Sequence, residues 1–164
     1  MRKVKPGIIL FLILFGLWLA LAGTDRDEII IAAITSFILS VLFASKAQIL
    51  GNIILTPKAI FYTVIYVFVF LRELTKSTWD VARRVLSPGL PINPGIVKVK
   101  TRLKSPLGRL ILANSITLTP GTMTVETDGE YFYIHWIDIQ SDDIVANTNA
   151  IVATFEKYLE VMFG

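Results

Sequence analysis

The chain has 164 residues, no cysteine, one histidine and a net charge of +3. That length suits about one domain. The missing cysteines exclude disulfides, thiolate metal sites, haem attachment and a cysteine nucleophile, and His135 alone cannot make a histidine pair for zinc or iron. Apolar residues make up 54% of the chain and are heaped at the front, the pattern of a membrane protein with a small soluble portion.

Met1-Arg2-Lys3-Val4-Lys5 is a basic start to the apolar run Gly7–Ala22. A signal peptide has the same flanks, and Ala20-Leu21-Ala22 resembles a cleavage site. A second apolar run follows so soon, however, that an uncleaved membrane helix is the expectation. Gly23–Glu28 is a short polar turn whose carboxylates favour the start of a second helix, from about Glu28 to Ala44. Residues 1–56 therefore read as a transmembrane helical hairpin. Each run of 16 or 17 residues gives about 25 Å of helix against a hydrocarbon core of about 30 Å. The bilayer thins, or neighbouring subunits cover the ends.

Ala32, Ser36, Ser40 and Ala44 repeat small residues every four positions, with Gly16 and Ala20 as a matching notch on the first helix. Such a stripe suits close helix approach, inside the hairpin or against another subunit. Neither run carries Asp, Glu, Lys, Arg or His between Gly7 and Ala22 or between Ile29 and Ala44. Ion and proton pathways need such groups or a polar cavity, so the hairpin conducts nothing by itself.

After a loop from Ser45, Thr56 and Pro57 give an N-cap and first-turn signal. Residues 57–86 read as one long helix, apolar at first and amphipathic later, with Leu71, Leu74, Thr78, Val81, Ala82 and Val85 at helical spacing. Tyr62, Tyr66 and Trp79 suit a membrane interface. The distribution of positive charge favours a cytoplasmic N-terminus and two full spans plus a shallow or partner-supported third helix, with three spans and the N-terminus outside as the second choice. Residues 87–95, with Pro88, Pro91 and Pro94, read as a stiff linker rather than a P-x-x-P ligand.

Residues 96–164 read as a small cytoplasmic α+β domain of order β-α-β-β-α. Ile96–Leu103 alternates apolar with basic residues, as a half-buried strand does. Ser105-Pro106 starts a short helix over Leu107–Asn114, which must stop by Leu118 because Thr119 precedes Pro120. Thr119-Pro120-Gly121-Thr122 predicts a type II turn. Thr122–Thr127, a turn at Asp128-Gly129 and Glu130–Gln140 predict a hairpin. Ser141, Asp142 and Asp143 open a final helix to about Phe163, with Ile144, Val145, Ile151, Val152, Phe155, Leu159 and Met162 along its apolar face.

Charge is uneven along the chain. Residues 72–109 carry Arg72, Lys76, Arg83, Arg84, Lys98, Lys100, Arg102, Lys104 and Arg109 against Glu73 and Asp80, whereas residues 110–164 carry Lys157 against eight carboxylates. The basic zone suits anionic lipid headgroups, at about 1 kcal/mol for each well-placed charge. Nucleic acid is not expected, since no aromatics interleave the cations as a stacking platform.

Arg72-Glu73-Leu74, Val81-Ala82-Arg83-Arg84-Val85-Leu86-Ser87-Pro88, Ala113–Thr122 and Tyr133-Ile134-His135-Trp136 together resemble the E-type component of multisubunit cation/proton antiporters of the Mrp (Mnh, Pha) type. The run Asn114–Thr122 is the most specific element. The resemblance implies a small accessory subunit of an ion-translocating assembly in the cell membrane, with a cytoplasmic C-terminal domain and other very hydrophobic subunits as partners. It is also similar to a module of archaeal membrane-bound hydrogenases and sulfane reductases. Thr119, Pro120 and Gly121, carried over by position, are expected to shape a turn that packs on the membrane base or a sister subunit, with no role in ion ligation. His135 with Asp138 or Ser141 is a poor catalytic set, lacking a glycine-flanked serine, so no enzyme activity and no cofactor are expected.

Overall fold

The computed structural model describes residues 4–43, 45–46 and 56–164, with side chains from Pro6 onward. The chain divides into two compact units, Met1–Ile53 and Ile54–Gly164. Ala44 and most of the expected loop after it lie outside the described residues.

In the first unit, α1 (Val4–Ala22) and α2 (Arg26–Phe43) pack along each other as a hairpin. The three-residue connection is closed by two backbone bonds, Gly23 N to Leu19 O at 3.1 Å and Ile29 N to Asp25 O at 2.9 Å. Trp18 Nε1 donates to Glu28 Oε2 at 2.9 Å, joining the end of one helix to the start of the other. Along α1 the half-buried row is Phe11, Leu14, Phe15 and Trp18, a helical spacing of i, i+3, i+4, i+7. Phe11 and Phe15 stack at 5.7 Å. Gly16 and Ala20 are exposed, and a Cβ on Gly16 would meet nothing within 4 Å. The notch does not serve packing inside the hairpin: α1 is apolar on every side, so its sequence does not single out one face, and the row with Phe11, Phe15 and Trp18 takes the seam. Among the described residues, no helix is long and apolar enough to cross a membrane. The first turn of α2 holds Arg26, Asp27 and Glu28, which shortens its apolar stretch.

The second unit contains α3 (Pro57–Leu86), β1 (Gly95–Lys100), α4 (Pro106–Leu118), β2 (Thr122–Asp128), β3 (Tyr131–Trp136), α5 (Ile144–Ile151) and α6 (Ala153–Phe163). Three helix starts are capped as side-chain chemistry requires. Thr56 Oγ1 accepts from Ala59 N at 3.1 Å, Ser105 Oγ from Gly108 N at 3.4 Å, and Asp143 Oδ2 from Ala146 N at 2.8 Å. The antiparallel sheet has the order β1-β3-β2. Alternation along its strands turns Val97, Val99, Phe132 and Ile134 inward, onto Leu112 and Ile116 of α4 and onto Phe155 and Leu159 of α6. Lys98, facing the other way, lies 3.9 Å from the centre of the Tyr131 ring. Burying a side chain such as Phe132 contributes about 1.5–3 kcal/mol.

The helix α3 belongs to this unit. Tyr66 is buried in its core and shares a hydrogen bond with Ser115 of α4, and its ring meets Phe155 edge-on at 6.3 Å. Tyr62 lies 6.3 Å from Tyr158. These two tyrosines pack on the domain instead of serving a membrane interface. Leu71 and Val85 are exposed, because the side of α3 turned to the domain runs through Tyr62, Tyr66, Phe70 and Arg84. The proline-rich segment is no free spacer. Asn93 N donates to Ile137 O at 3.1 Å, Ile139 N to Asn93 O at 2.9 Å and Asn93 Nδ2 to Ile139 O at 3.0 Å.

Three further expectations are corrected. The final helix is two helices, broken at Val152, which caps both. A continuous helix would align Ile144 and Val145 with Phe155 and Leu159; the break turns that first segment, leaving Val145 65% exposed. The strand after the hairpin turn ends at Trp136 instead of Gln140. Asp128 pairs with Tyr131, so the two loop residues are Gly129 and Glu130, with Gly129 at φ 51° as a glycine-first hairpin turn requires.

Candidate functional site

The run that ends α4 is a set of hydroxyl caps. The last turn of a helix leaves carbonyls without intrahelical donors. Here Thr119 Oγ1 donates to Ser115 O at 2.7 Å and Thr122 Oγ1 to Ile116 O at 2.7 Å; before that last turn, Thr117 Oγ1 and Thr124 Oγ1 add donors to Ala113 O at 2.9 and 3.1 Å. Thr119 is extended at φ −82° and ψ 114°, as a residue before proline should be, and its carbonyl accepts from Thr122 N at 3.3 Å. Gly121 has φ 91°, the conformation a type II turn needs at this position. A Cβ there would also come within 3.0 Å of Ile137 Cγ2 and 3.4 Å of Val81 Cγ2. Conformation and space both select glycine.

Across from this turn runs the second half of α3. Arg84 joins three segments. Its Nε meets Asp80 Oδ2 at 2.7 Å one turn back, and its Nη1 meets Asp138 Oδ2 at 2.9 Å and donates to Pro91 O at 2.8 Å. The hydrogen bond to Asp80, with Asp138 adding to it, pushes the guanidinium up from its ordinary value, so it stays charged. The turn is fastened to the segment after β3 too, with Ile137 N donating to Gly121 O at 2.8 Å.

Between these walls lies a groove of about 960 Å³, lined by α3 from Glu73 to Ser87, by Thr119–Thr122, by Trp136, Ile137, Asp138 and Gln140, and by Ile151 and Phe155 below. Its walls are mainly apolar, with Lys76, Arg83 and the Arg84–Asp138 pair among the polar groups. A mainly apolar cleft of this size with a few polar groups has the general form of a binding site.

Thr119, Pro120 and Gly121 therefore form one wall of the groove. Ala32, Ser36 and Ser40 are buried in the first unit, where Ser40 Oγ donates to Phe37 O at 2.8 Å, and Ala44 lies outside the described residues. The seven residues singled out from the sequence thus fall in both units. The imagined set of His135, Asp138 and Ser141 does not assemble. His135 is exposed on β3, Asp138 is held by Arg84, and Ser141 Oγ accepts from Asp143 N at 3.1 Å. Among the described residues, no group of His, Cys, Asp or Glu is arranged to hold a metal ion.

Sequence reading missed Arg84 and Asp138 as partners. The i, i+4 pair of Asp80 and Arg84 was visible in the sequence, but the link to Asp138 depends on tertiary structure. It also missed Glu156, a buried carboxylate that accepts from Thr101 Oγ1 and, at 2.7 Å, from Arg102 N, tying the end of β1 to α6. Its place on an otherwise apolar helix face was the available signal.

Comparison with known proteins gives one consistent result. A chain of the solved membrane-bound sulfane sulfur reductase, an archaeal respiratory membrane complex, superposes with a TM-score of 0.87 at 41% identity, over 97% of this chain and 99% of that one. The E1 component of a Na+/H+ antiporter from Staphylococcus saprophyticus is 31% identical over 92% of both chains. The E component of a Na+/H+ antiporter from Alkalihalophilus pseudofirmus is 41% identical over 90 residues, a match spanning 54% of this chain and 56% of that relative. A family model described as "Na+/H+ ion antiporter subunit" matches residues 11–162. The chain belongs to that family of Na+/H+ ion antiporter subunits.

Proposed function

We propose that the chain is a non-catalytic accessory subunit of a multisubunit monovalent cation/proton antiporter, or of a respiratory complex that carries such an antiporter module. The observation that carries this reading is the likeness along nearly the whole chain to a component of a respiratory membrane complex, at a TM-score of 0.87 and 41% identity. The chemistry agrees. The apolar stretches of α1 and α2 contain no ionisable side chain, and a proton or sodium path through a membrane needs such groups or a polar cavity.

In this reading the α1–α2 hairpin sits in the cell membrane with both chain ends on the cytoplasmic side, and neighbouring subunits cover what its short helices leave uncovered. Ala32, Ser36, Ser40 and Ala44 serve close helix packing. Thr119, Pro120 and Gly121 hold the wall of a groove that receives a segment of a sister subunit.

Mass analysis of gently solubilised complexes tests the proposal. The chain should co-purify in fixed ratio with several very hydrophobic subunits, and redox subunits would distinguish a respiratory host from a stand-alone antiporter. Recovery of the chain alone, stable and monomeric, would replace this reading with that of a free-standing membrane scaffold.

A further inference from the structure

The outward side of the first half of α3, as far as Leu71, lines neither the groove nor the domain core. At about 100° per residue, Ile60, Phe61, Val64, Val67, Phe68 and Leu71 fall in one sector roughly 120° wide. All six are between 48% and 68% exposed. Trp79 and Leu86 continue the sector, 73% and 83% exposed, where it borders the groove that both residues also line. Lys58, Arg72, Lys76 and Arg83, all exposed, lie along one border of it, within about 40° of each other.

No carboxylate shares this side. Glu73 lies on the inner half of the helix and meets Arg72 and Lys76 only at 3.8 and 3.9 Å, while Asp80 is engaged by Arg84. The opposite face is already occupied, since Ala59 and Tyr66 are buried and Tyr66 bonds to Ser115.

We propose that α3 lies flat on an anionic lipid bilayer. The apolar sector is turned into the acyl boundary, Trp79 sits at headgroup level, Arg72, Lys76 and Arg83 meet the phosphates, and the α+β domain rides on the inner face. An apolar stripe bordered by cations, with an amphipathic aromatic between, is the pattern of an in-plane interfacial helix. Charge decides against a second copy of this chain. A two-fold contact would set the same row of cations against itself, whereas anionic headgroups complement it. A helix crossing the bilayer freely would turn all its sides to lipid, and α3 has one side committed to the domain. This assignment requires only that the chain reaches a membrane, so its failure would leave the proposed assembly untouched.

The chain contains no cysteine, so single cysteines introduced into the full chain take one spin label each. Labels at Val64→Cys and Val67→Cys would be compared with one at Glu126→Cys on β2, in vesicles of phosphatidylcholine with or without phosphatidylglycerol. Collision with oxygen reports lipid, and collision with a nickel chelate reports water. In vesicles containing phosphatidylglycerol, labels 64 and 67 should meet oxygen and be shielded from nickel, while label 126 meets nickel. Neutralising the border with R72Q, K76Q and R83Q together should move the ratio at 64 and 67 roughly tenfold toward water. Water exposure of 64 and 67 beside phosphatidylglycerol would overturn the proposal. So would shielding from both reagents, which means a protein partner, or a ratio that ignores the charge changes.

Discussion

In the hairpin, Leu12, Leu17, Ile34, Phe37 and Val41 remain exposed, and burial is confined largely to one seam. In the second unit, Phe132, Leu112, Ile116, Ile134 and Leu159 are sealed, and α3 closes over them with Tyr66. The second unit completes its own core from its own residues. The hairpin does not, because no third element among the described residues of its unit covers its outer sides. Apolar exposure on that scale marks a surface meant for lipid or other subunits. One polypeptide thus joins a folded body with its own core, the outer sector of α3 still exposed, to a pair of helices whose stability depends on their surroundings.

The largest expected effect falls on the self-sufficient half. Phe132→Ala should cost about 3–5 kcal/mol and lower hydrogen-exchange protection across α4, β3 and α6 while leaving α1 and α2 unchanged. Equal loss in the hairpin would mean the two units are not independently stable. The converse variant, Ser36→Leu with Ser40→Leu, overfills the buried stripe of α2 and should cost about 1–3 kcal/mol in the hairpin. Assembly of the complex should fall, read by co-purification, with the melting of the second unit unmoved.

Within the second unit, Gly121→Ala forces a side chain into a positive-φ position against Ile137 and should cost about 1–3 kcal/mol. Pro120→Ala keeps the turn but loosens the unfolded chain's constraint, at about 0.4–1 kcal/mol. It should weaken assembly or antiport while the hairpin stays inserted; unchanged activity would remove the reason for assigning the turn a role. The smallest effect concerns charge on the sheet edge. Lys100, through its hydrogen bond at 3.0 Å, holds the Glu130 carboxyl below the usual carboxylate range. A depressed acid contributes stability that is present above its unfolded value and lost as pH falls through its folded one. Glu130 should therefore titrate low by NMR and move to the ordinary range in Lys100→Gln.

Much of the second unit was legible because its signals are local. Thr56-Pro57 and Ser105-Pro106 are caps that act within one turn, whereas the last one sits at Asp143, two residues after the expected start at Ser141, and the alternation of Val97 and Val99 with Lys98 and Lys100 fixes which side of β1 is buried. Pro120-Gly121 told its turn type directly. What escaped depends on contacts between distant segments. Nothing near Tyr66 in sequence announces Ser115, and nothing near Arg84 announces Asp138. The break at Val152 has neither proline nor glycine to mark it. In α1 an all-apolar surface left the seam undetermined, and the small-residue notch lies outside it. Of the groove, the turn at Thr119–Gly121 was legible but its place in a wall was not, and neither was the α3 wall, since that helix read as a shallow or partner-supported helix instead of a lid on the domain.

At the centre stands the proposed role of the chain, support of ion exchange without carrying it. Purified alone and reconstituted into liposomes, it should produce no sodium-driven change in internal pH, while the intact assembly from the same membranes should produce one. Cation-coupled proton movement by the chain alone would contradict that role.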